Sequence, residues 1–259
     1  MAIEVDVGGP MGQRFEVDWE GELSASPEEV WAAFTVHTTG WYWNIAYEPW
    51  RGGAERGLTP GGGRVIVWDR PRHFVTRSED DGEGCNELDY RLEPRGAGSY
   101  LRFRHRGVFG ADYDRLLDAC RQHTAFYYHS LGEYLRHFRG RDAVYVRAQA
   151  QESSARGGFP LLRRALGISE GVAVGDRVRL APEGLEPIDG VVDYTTRHFL
   201  GVRGTNALYR FYGRDAWGMP VGVAHHLFTD QAEEQSATLA WSGWLEKVFA
   251  EAATGEAGV

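Results

Sequence analysis

The spacing of apolar residues changes near residue 112, and this change constrains the fold more than any other feature of the sequence. Before it, short segments such as 87–93 and 100–105 alternate apolar with polar residues, which is typical of antiparallel strands with one face in the core. Residues 112–138 instead repeat apolar side chains every three or four positions, which predicts one helix about 40 Å long at roughly 1.5 Å per residue. We therefore predict an α+β fold in which a curved antiparallel sheet wraps around a long closing helix.

The segment that precedes these strands predicts a strand followed by a short helix. Residues 15–23 alternate apolar residues with acidic ones, which indicates a strand with one wet face. Ser26 is a suitable N-cap, Pro27 suits the first helical position, and Glu29 completes a capping box.

A polar stretch divides the chain. Residues 147–158 are small and polar, which indicates a boundary between a first domain, 1–146, and a second domain, 159–259.

The second domain repeats part of the first. Residues 175–180 (GDRVRL) are similar to 62–67 (GGRVIV), and 197–200 (RHFL) are similar to 72–75 (RHFV). A final helix is predicted at about 232–250. We interpret this domain as a truncated second copy that lacks the opening strand–helix pair. Because half a domain cannot bury its sheet face alone, we expect it to dock on the first domain or on a second copy of the chain, so a homodimer is one expected assembly.

Three motifs occur in the order found in a known superfamily. Residues 26–34 (SPEEVWAAF), 60–65 (PGGGRV) and 68–74 (WDRPRHF) resemble the first helix, first hairpin and strand-reversing turn of the START/SRPBCC superfamily, whose fold is the helix-grip (START/Bet v-like) fold. Within it, the chain is most similar to the Aha-type branch, the activators of heat-shock-chaperone ATPase, and in particular to the actinobacterial form with an extra C-terminal half-domain. The resemblance covers residues 13–140.

The resemblance implies an apolar cavity between the concave sheet and the long helix. The leading interpretation is a binding protein for a small hydrophobic molecule. Two alternatives stay open: a co-chaperone-like module that stimulates ATP hydrolysis by a partner chaperone, and a cyclase or dehydratase that uses the same cavity. The superfold hosts all three kinds of protein, so the sequence leaves enzymatic activity undecided.

The candidate lining of that cavity combines aromatic residues of the strands with one face of the long helix. Apolar walls supply most of the binding energy of such sites, and a few polar groups orient the ligand. The alternative is that the same rings fill the core and leave no cavity. The predicted lining residues are Trp41, Trp43, Trp68, Phe74, Tyr90, Leu92, Phe103, His105, His123, Phe126, Tyr127, Ser130 and Tyr134.

Four residues of the long helix form a stripe that could carry chemistry. His123, Tyr127, Ser130 and Tyr134 follow one another at four, three and four positions, so they share one helix face. In an apolar pocket, His123 and Tyr127 are the candidate catalytic residues, as acid, base or oxyanion donor. The alternative is ordinary packing with hydroxyl groups that reach water or backbone.

Charge and cysteine content exclude several functions. The 28 basic and 37 acidic residues give a net charge of -9, which disfavours nucleic acid and anionic membranes as partners. Cys85 and Cys120 are too few for a disulfide framework and are expected to be reduced thiols. Residues 1–10 lack the features of a signal peptide, and no apolar run could span a membrane, so we expect a cytoplasmic protein.

No pattern in the sequence predicts a cofactor. The glycines at 61–63 are followed by Arg64 and Val65 rather than by Lys and Ser or Thr, so they do not form a Walker loop. His225 and His226 are adjacent in a predicted strand, where neighbouring side chains point to opposite faces and cannot readily share a metal ion. We expect neither a cofactor nor a metal site.

Overall fold

The structure is a computed structural model that describes residues 12–59, 61–78, 86–110, 112–230 and 232–255. Cys85 and the predicted features of residues 1–10 lie outside the described residues. The chain divides into two compact units, Met1–Asp142 and Ala143–Val259.

Unit 1 is a seven-stranded antiparallel sheet with a long helix at its end, which confirms the predicted α+β helix-grip fold. The strand order is β1-β7-β6-β5-β4-β3-β2, so the first strand pairs with the last. The elements are β1 Gln13–Leu23, α1 Pro27–Thr35, β2 Ala46–Tyr47, β3 Ala54–Arg56, β4 Gly63–Asp69, β5 His73–Ser78, β6 Glu87–Arg95, β7 Gly98–Phe109 and α2 Tyr113–His137.

The start of α1 is fixed by the predicted capping box. The Ser26 hydroxyl accepts a hydrogen bond from the Glu29 amide at 3.3 Å, and the Glu29 carboxylate accepts one from the Ser26 amide at 2.8 Å. Pro27 occupies the first helical position, where it leaves no donor unsatisfied.

Helix α2 lies against the inner face of the sheet and makes aromatic contacts with its first and last strands. The Tyr128 ring stacks on Trp19 of β1 at 4.5 Å between centroids and lies 4.8 Å from Phe103 of β7. These rings combine a large buried area with geometric preference, so they fix the helix relative to the sheet.

The outer face of β1 and β7 is a row of opposite charges. Because the partners face each other directly, the row favours a single register, although each exposed pair contributes little stability by itself. The facing pairs are Glu16 with Arg106, Asp18 with Arg104, and Glu20 with Arg102.

Unit 2 has the same connectivity with one strand fewer. Its order is β8-β13-β12-β11-β10-β9, so the first strand again pairs with the last, and a helix follows. The elements are β8 Val144–Gln149, α3 Gly158–Ala165, β9 Arg177–Leu180, β10 Ile188–Thr195, β11 Phe199–Gly204, β12 Ala207–Tyr212, β13 Gly222–Leu227 and α4 Glu234–Gly255.

The opening strand–helix pair, predicted to be missing from unit 2, is present as β8 and α3. The polar residues 147–158 concealed it: they contain the end of β8 and a 3-10 turn at Glu152–Ala155. Val146 and Ala148 of β8 are buried, but two small apolar residues are too weak a pattern to predict a strand.

Only one of the two sequence similarities between the units joins equivalent strands. When the two sheets are aligned on their last strands, β7 and β13, strand β11 corresponds to β5. The similar residues 197–200 and 72–75 lie where these two strands begin. In contrast, β9 corresponds to β3, whereas residues 62–67 lie on β4. The second similarity therefore reflects a common strand pattern and not a common position.

A buried ion pair holds the middle of the unit 2 sheet. Arg210 of β12 is fully buried, and its Nη1 lies 3.0 Å from Oδ2 of Asp193 on β10. The strand between them makes room at Gly201, where a Cβ would lie 2.8 Å from Arg210 Nη1 and closer still to the Asp193 carboxylate.

We expect Gly201→Ala to destabilise the protein by about 3 kcal/mol, since separating a buried ion pair leaves each charge without compensation. Gly243→Ala is the matched control, because a Cβ on that helical residue meets open space and should add about 1 kcal/mol of stability. Urea denaturation measures both. Equal stability of Gly201→Ala and the wild type would contradict the structural role of the pair.

Candidate functional site

The inner face of unit 1 contains a partly open cavity of about 90 Å³ between β6, β7 and residues 120–128 of α2. Three connecting segments complete its wall: residues 41–43, residues 58–59 and Asn86. The residues that line it are Trp41, Tyr42, Trp43, Leu58, Thr59, Asn86, Leu88, Tyr90, Phe103, His105, Phe109, Cys120, His123, Thr124, Tyr127 and Tyr128.

The loop that carries the two tryptophans is fixed by side-chain hydrogen bonds to the backbone. Trp41 Nε1 donates to the Ala33 carbonyl at 2.9 Å, and Trp43 Nε1 donates to the Gly57 carbonyl at 2.6 Å. Tyr42, between them, stacks on Trp43 with 3.6 Å between ring centroids. Each indole therefore satisfies its only donor while its ring faces the cavity.

Seven of the predicted lining residues meet at this cavity, and six lie elsewhere in unit 1. Those at the cavity are Trp41, Trp43, Tyr90, Phe103, His105, His123 and Tyr127. Those elsewhere are Trp68, Phe74, Leu92, Phe126, Ser130 and Tyr134.

Trp68 and Phe74 belong to a filled part of the core beneath α1. Their rings lie 5.0 Å and 5.8 Å from the Trp31 ring, and Phe74 also contacts Tyr47 at 4.9 Å. The predicted alternative, in which aromatic rings fill the core, therefore describes this end of the sheet.

Ser130 and Tyr134 are bound to nearby backbone instead of lining the cavity. The Ser130 hydroxyl donates to the Phe126 carbonyl at 3.0 Å. The Tyr134 hydroxyl donates to the Arg141 carbonyl at 3.1 Å and accepts from the Gly140 amide at 3.0 Å. The four helical residues have the predicted spacing. Ser130 and Tyr134, however, bind backbone groups near the C-terminal end of α2 and do not reach the cavity.

The sequence analysis did not predict the remaining lining residues, although some of them follow a periodic pattern. Leu88 alternates with Tyr90 on β6 and so shares its face. Cys120 and Thr124 lie one helical turn before positions that were predicted. Loop residues such as Thr59 and Asn86 have no periodic pattern from which their position could be inferred.

A buried carboxylate supports the loop that follows β3. Glu55 on β3 is 1% exposed, and its oxygens accept hydrogen bonds from the Leu58 amide at 2.6 Å and the Thr59 hydroxyl at 2.9 Å. Burial raises the pKa of the Glu55 carboxyl, and these donors partly oppose that rise. Glu55 does not line the cavity, but it positions two residues that do.

Three polar side chains form a hydrogen-bonded chain on the cavity wall. His105 Nε2 lies 2.9 Å from Oδ1 of Asn86, and His105 Nδ1 lies 3.3 Å from Sγ of Cys120. An amide oxygen only accepts hydrogen bonds, so Nε2 carries the proton of the neutral ring and Nδ1 accepts from the thiol.

Burial keeps both ends of the Cys120–His105 contact uncharged at neutral pH. It lowers the pKa of His105 to about 4 and raises the pKa of Cys120 to about 12, because removal from water disfavours the charged form of each group. Burial also raises the pKa of the cavity tyrosines Tyr42 and Tyr128.

The wall carries no permanently charged side chain. None of the described residues that line the cavity is an aspartate, glutamate, lysine or arginine. His123 is a further polar residue of the wall. Its Nδ1 donates a hydrogen bond to the Ala119 carbonyl at 2.8 Å.

We predict that the His105 imidazole of the folded protein stays neutral, with the proton on Nε2, down to about pH 5. Its pKa of about 4 in the fold lies below the value near 6.5 of an unfolded chain. The neutral imidazole therefore makes its full contribution to the free energy of unfolding above about pH 6.5, and this contribution is lost as the pH falls towards 4. Long-range ¹H–¹⁵N NMR of the imidazole reports both tautomer and charge.

His105→Gln is the control for this prediction, because glutamine takes up no proton in this range and the variant should lose less stability between pH 7 and 5. Titration of His105 near pH 6.5 would contradict the prediction.

The fold and the cavity define a helix-grip unit with a partly open, aromatic-walled pocket, and no aspartate, glutamate, lysine or arginine is among its described lining residues. No protein-family model matches the chain, and no curated protein matches it. Solved structures that resemble it include CalU16 from Micromonospora echinospora, at 17% identity over 48% of this chain and 86% of that one, with a TM-score of 0.39. Another is the Aha1 dimer from Colwellia psychrerythraea, at 19% identity over 47% of this chain and 96% of that one, also with a TM-score of 0.39.

These similarities cover about half of the chain. Within the described residues, no helix is both long and apolar enough to cross a membrane. In the same part of the chain, no three His, Cys, Asp or Glu side chains are grouped as a metal ion would require.

Proposed function

We propose that unit 1 binds a small, uncharged, largely apolar molecule in its cavity. The observation that carries this proposal is a partly open cavity of about 90 Å³ whose described walls combine aromatic rings with polar groups that carry no permanent charge. Apolar walls with a few fixed polar groups are the usual composition of a ligand pocket.

The volume limits the size of the ligand. Pockets for drug-sized ligands span about 300–1,000 Å³, whereas an engineered apolar cavity of about 150 Å³ accommodates benzene. A cavity of about 90 Å³ is smaller than both. Because the cavity is partly open past the half-exposed rings of Tyr42, Trp43 and Tyr127, the expected ligand has about one ring and extends between them.

The wall also limits the charge of the ligand. A charged group moved from water into this cavity would meet no opposite charge among the described lining residues, so its desolvation would stay uncompensated. Hydroxyl, amide or carbonyl groups can instead pair with the imidazole and tyrosine groups of the wall.

The enzyme alternative has one observation in its favour. His123 and Tyr127 both line the cavity, with 6.0 Å between their ring centroids, so a bound molecule could meet an imidazole and a phenol together. A double change of both residues to Phe should abolish turnover if the protein is a cyclase or dehydratase that uses them. The co-chaperone alternative depends on the resemblance alone, and its test is the ATPase rate of a purified chaperone with and without this protein.

We expect native mass spectrometry of the freshly purified protein to show a surplus mass that disappears on denaturation. The same spectra report the oligomeric state and so test the expected homodimer. As a defined probe, 4-fluorophenol should bind, as measured by fluorine NMR, and 4-fluorobenzoate of similar shape should bind at least about tenfold more weakly because it carries a charge.

Leu88→Phe should weaken 4-fluorophenol binding at least about tenfold, because it extends a lining residue into the cavity. Leu92→Phe is the matched control, since Leu92 lies on the same strand and face and is equally buried but does not line the cavity. Both changes cost stability through overpacking. Equal weakening by both, or no binding of any uncharged probe, would count against the proposal.

A further inference from the structure

The chain of Asn86, His105 and Cys120 has an arrangement that ordinary core packing does not require. A nucleophile lies within reach of a base at 3.3 Å, and the base is oriented on its other side by an acceptor at 2.9 Å. This order of nucleophile, base and orienting group is the geometric signature of an activated thiol. All three side chains line the cavity.

The surroundings hold the imidazole in this position. The Phe15 ring meets His105 edge-on at 4.9 Å between centroids. Gly107 leaves space beside the Asn86 and Phe15 side chains, since a Cβ there would lie 2.8 Å from Oδ1 of Asn86 and 2.6 Å from the Phe15 ring. The Asn86 amide oxygen can accept from Nε2 whether the ring is neutral or protonated, so it supports both states of the base.

We propose that Cys120 is a nucleophile that His105 activates towards small, uncharged alkenes conjugated to a carbonyl group. This inference rests on the proposed function, because the alkene must enter the same cavity. The sulfur forms a bond to the β-carbon as the carbon–carbon π bond breaks, and the thiol proton passes to Nδ1 of His105. That proton then moves to the α-carbon, which restores the neutral imidazole and leaves a thioether.

The electrostatics of the wall determine how the reaction proceeds. The thiol keeps its proton at rest, because burial raises the pKa of Cys120 to about 12 and lowers that of His105 to about 4. The proton must therefore leave as the carbon–sulfur bond forms, which is general-base catalysis and not attack by a resting thiolate. Between pH 5 and 8 both groups keep these protonation states, so the rate should not change with pH.

The test is alkylation of the folded full-length protein by acrylamide, followed by peptide mass mapping so that Cys120 is read separately from Cys85. We expect the rate at Cys120 to stay constant from pH 6 to 8. An ordinary thiol, in contrast, reacts about tenfold faster for each unit by which the pH rises, as long as the pH is below its pKa. His105→Phe should slow the reaction about a hundredfold, the usual contribution of a general base. His73→Gln, on the outer face of the sheet, is the matched control and should leave the rate unchanged.

A rate that rises tenfold per pH unit in the wild type would overturn the proposal, and this result does not depend on whether His105→Phe folds. Equal rates in His105→Phe and the wild type would also overturn it. If 4-fluorophenol binds but acrylamide does not modify Cys120, the proposed binding function survives and the nucleophile is excluded. If neither probe binds or reacts, both proposals fail.

Discussion

The pairing of the first strand with the last is the constraint on which the rest of unit 1 depends. β1 pairs with β7 along its whole length, from Gln13 opposite Phe109 to Leu23 opposite Ser99. The last strand, β7, therefore lies beside the first, and α2 begins directly after this pair. This order places α2 against the inner face next to β1 and β7. Unit 2 follows the same rule with β8 and β13.

The cavity exists because the inner face of unit 1 is filled unevenly. Beneath α1, large rings such as Trp31 and Phe74 pack against one another. Further along, the contact between Phe103 and Tyr128 keeps the helix at a distance from the sheet, while α2 presents the small side chains of Cys120 and Thr124 to the space that remains. Rings act as spacers at one point and small residues leave the volume beside them unfilled, so neither the helix nor the sheet closes the gap.

The sequence predicted what periodicity and local capping encode. The length of α2, the capping box of α1 and the alternation of β6 follow from side-chain spacing and short-range hydrogen bonds. The site was only partly predictable, because a lining residue is defined by what packs against it. Tyr134 has the right helical phase, yet its hydroxyl is held by backbone seven residues away. Asn86 precedes its strand and has no pattern, although it orients the imidazole of His105.

Desolvation gives the candidate site a single physical character. The same removal from water that lowers the pKa of His105 and raises the pKa of Cys120 also penalises any charged molecule that enters. A resting thiolate–imidazolium pair would need a more polar wall, and such a wall would bind apolar molecules less well. The hydrogen-bonded chain on the wall is therefore compatible with a neutral ligand in both roles: as a fixed polar surface that orients it, and as a thiol that loses its proton only while it reacts.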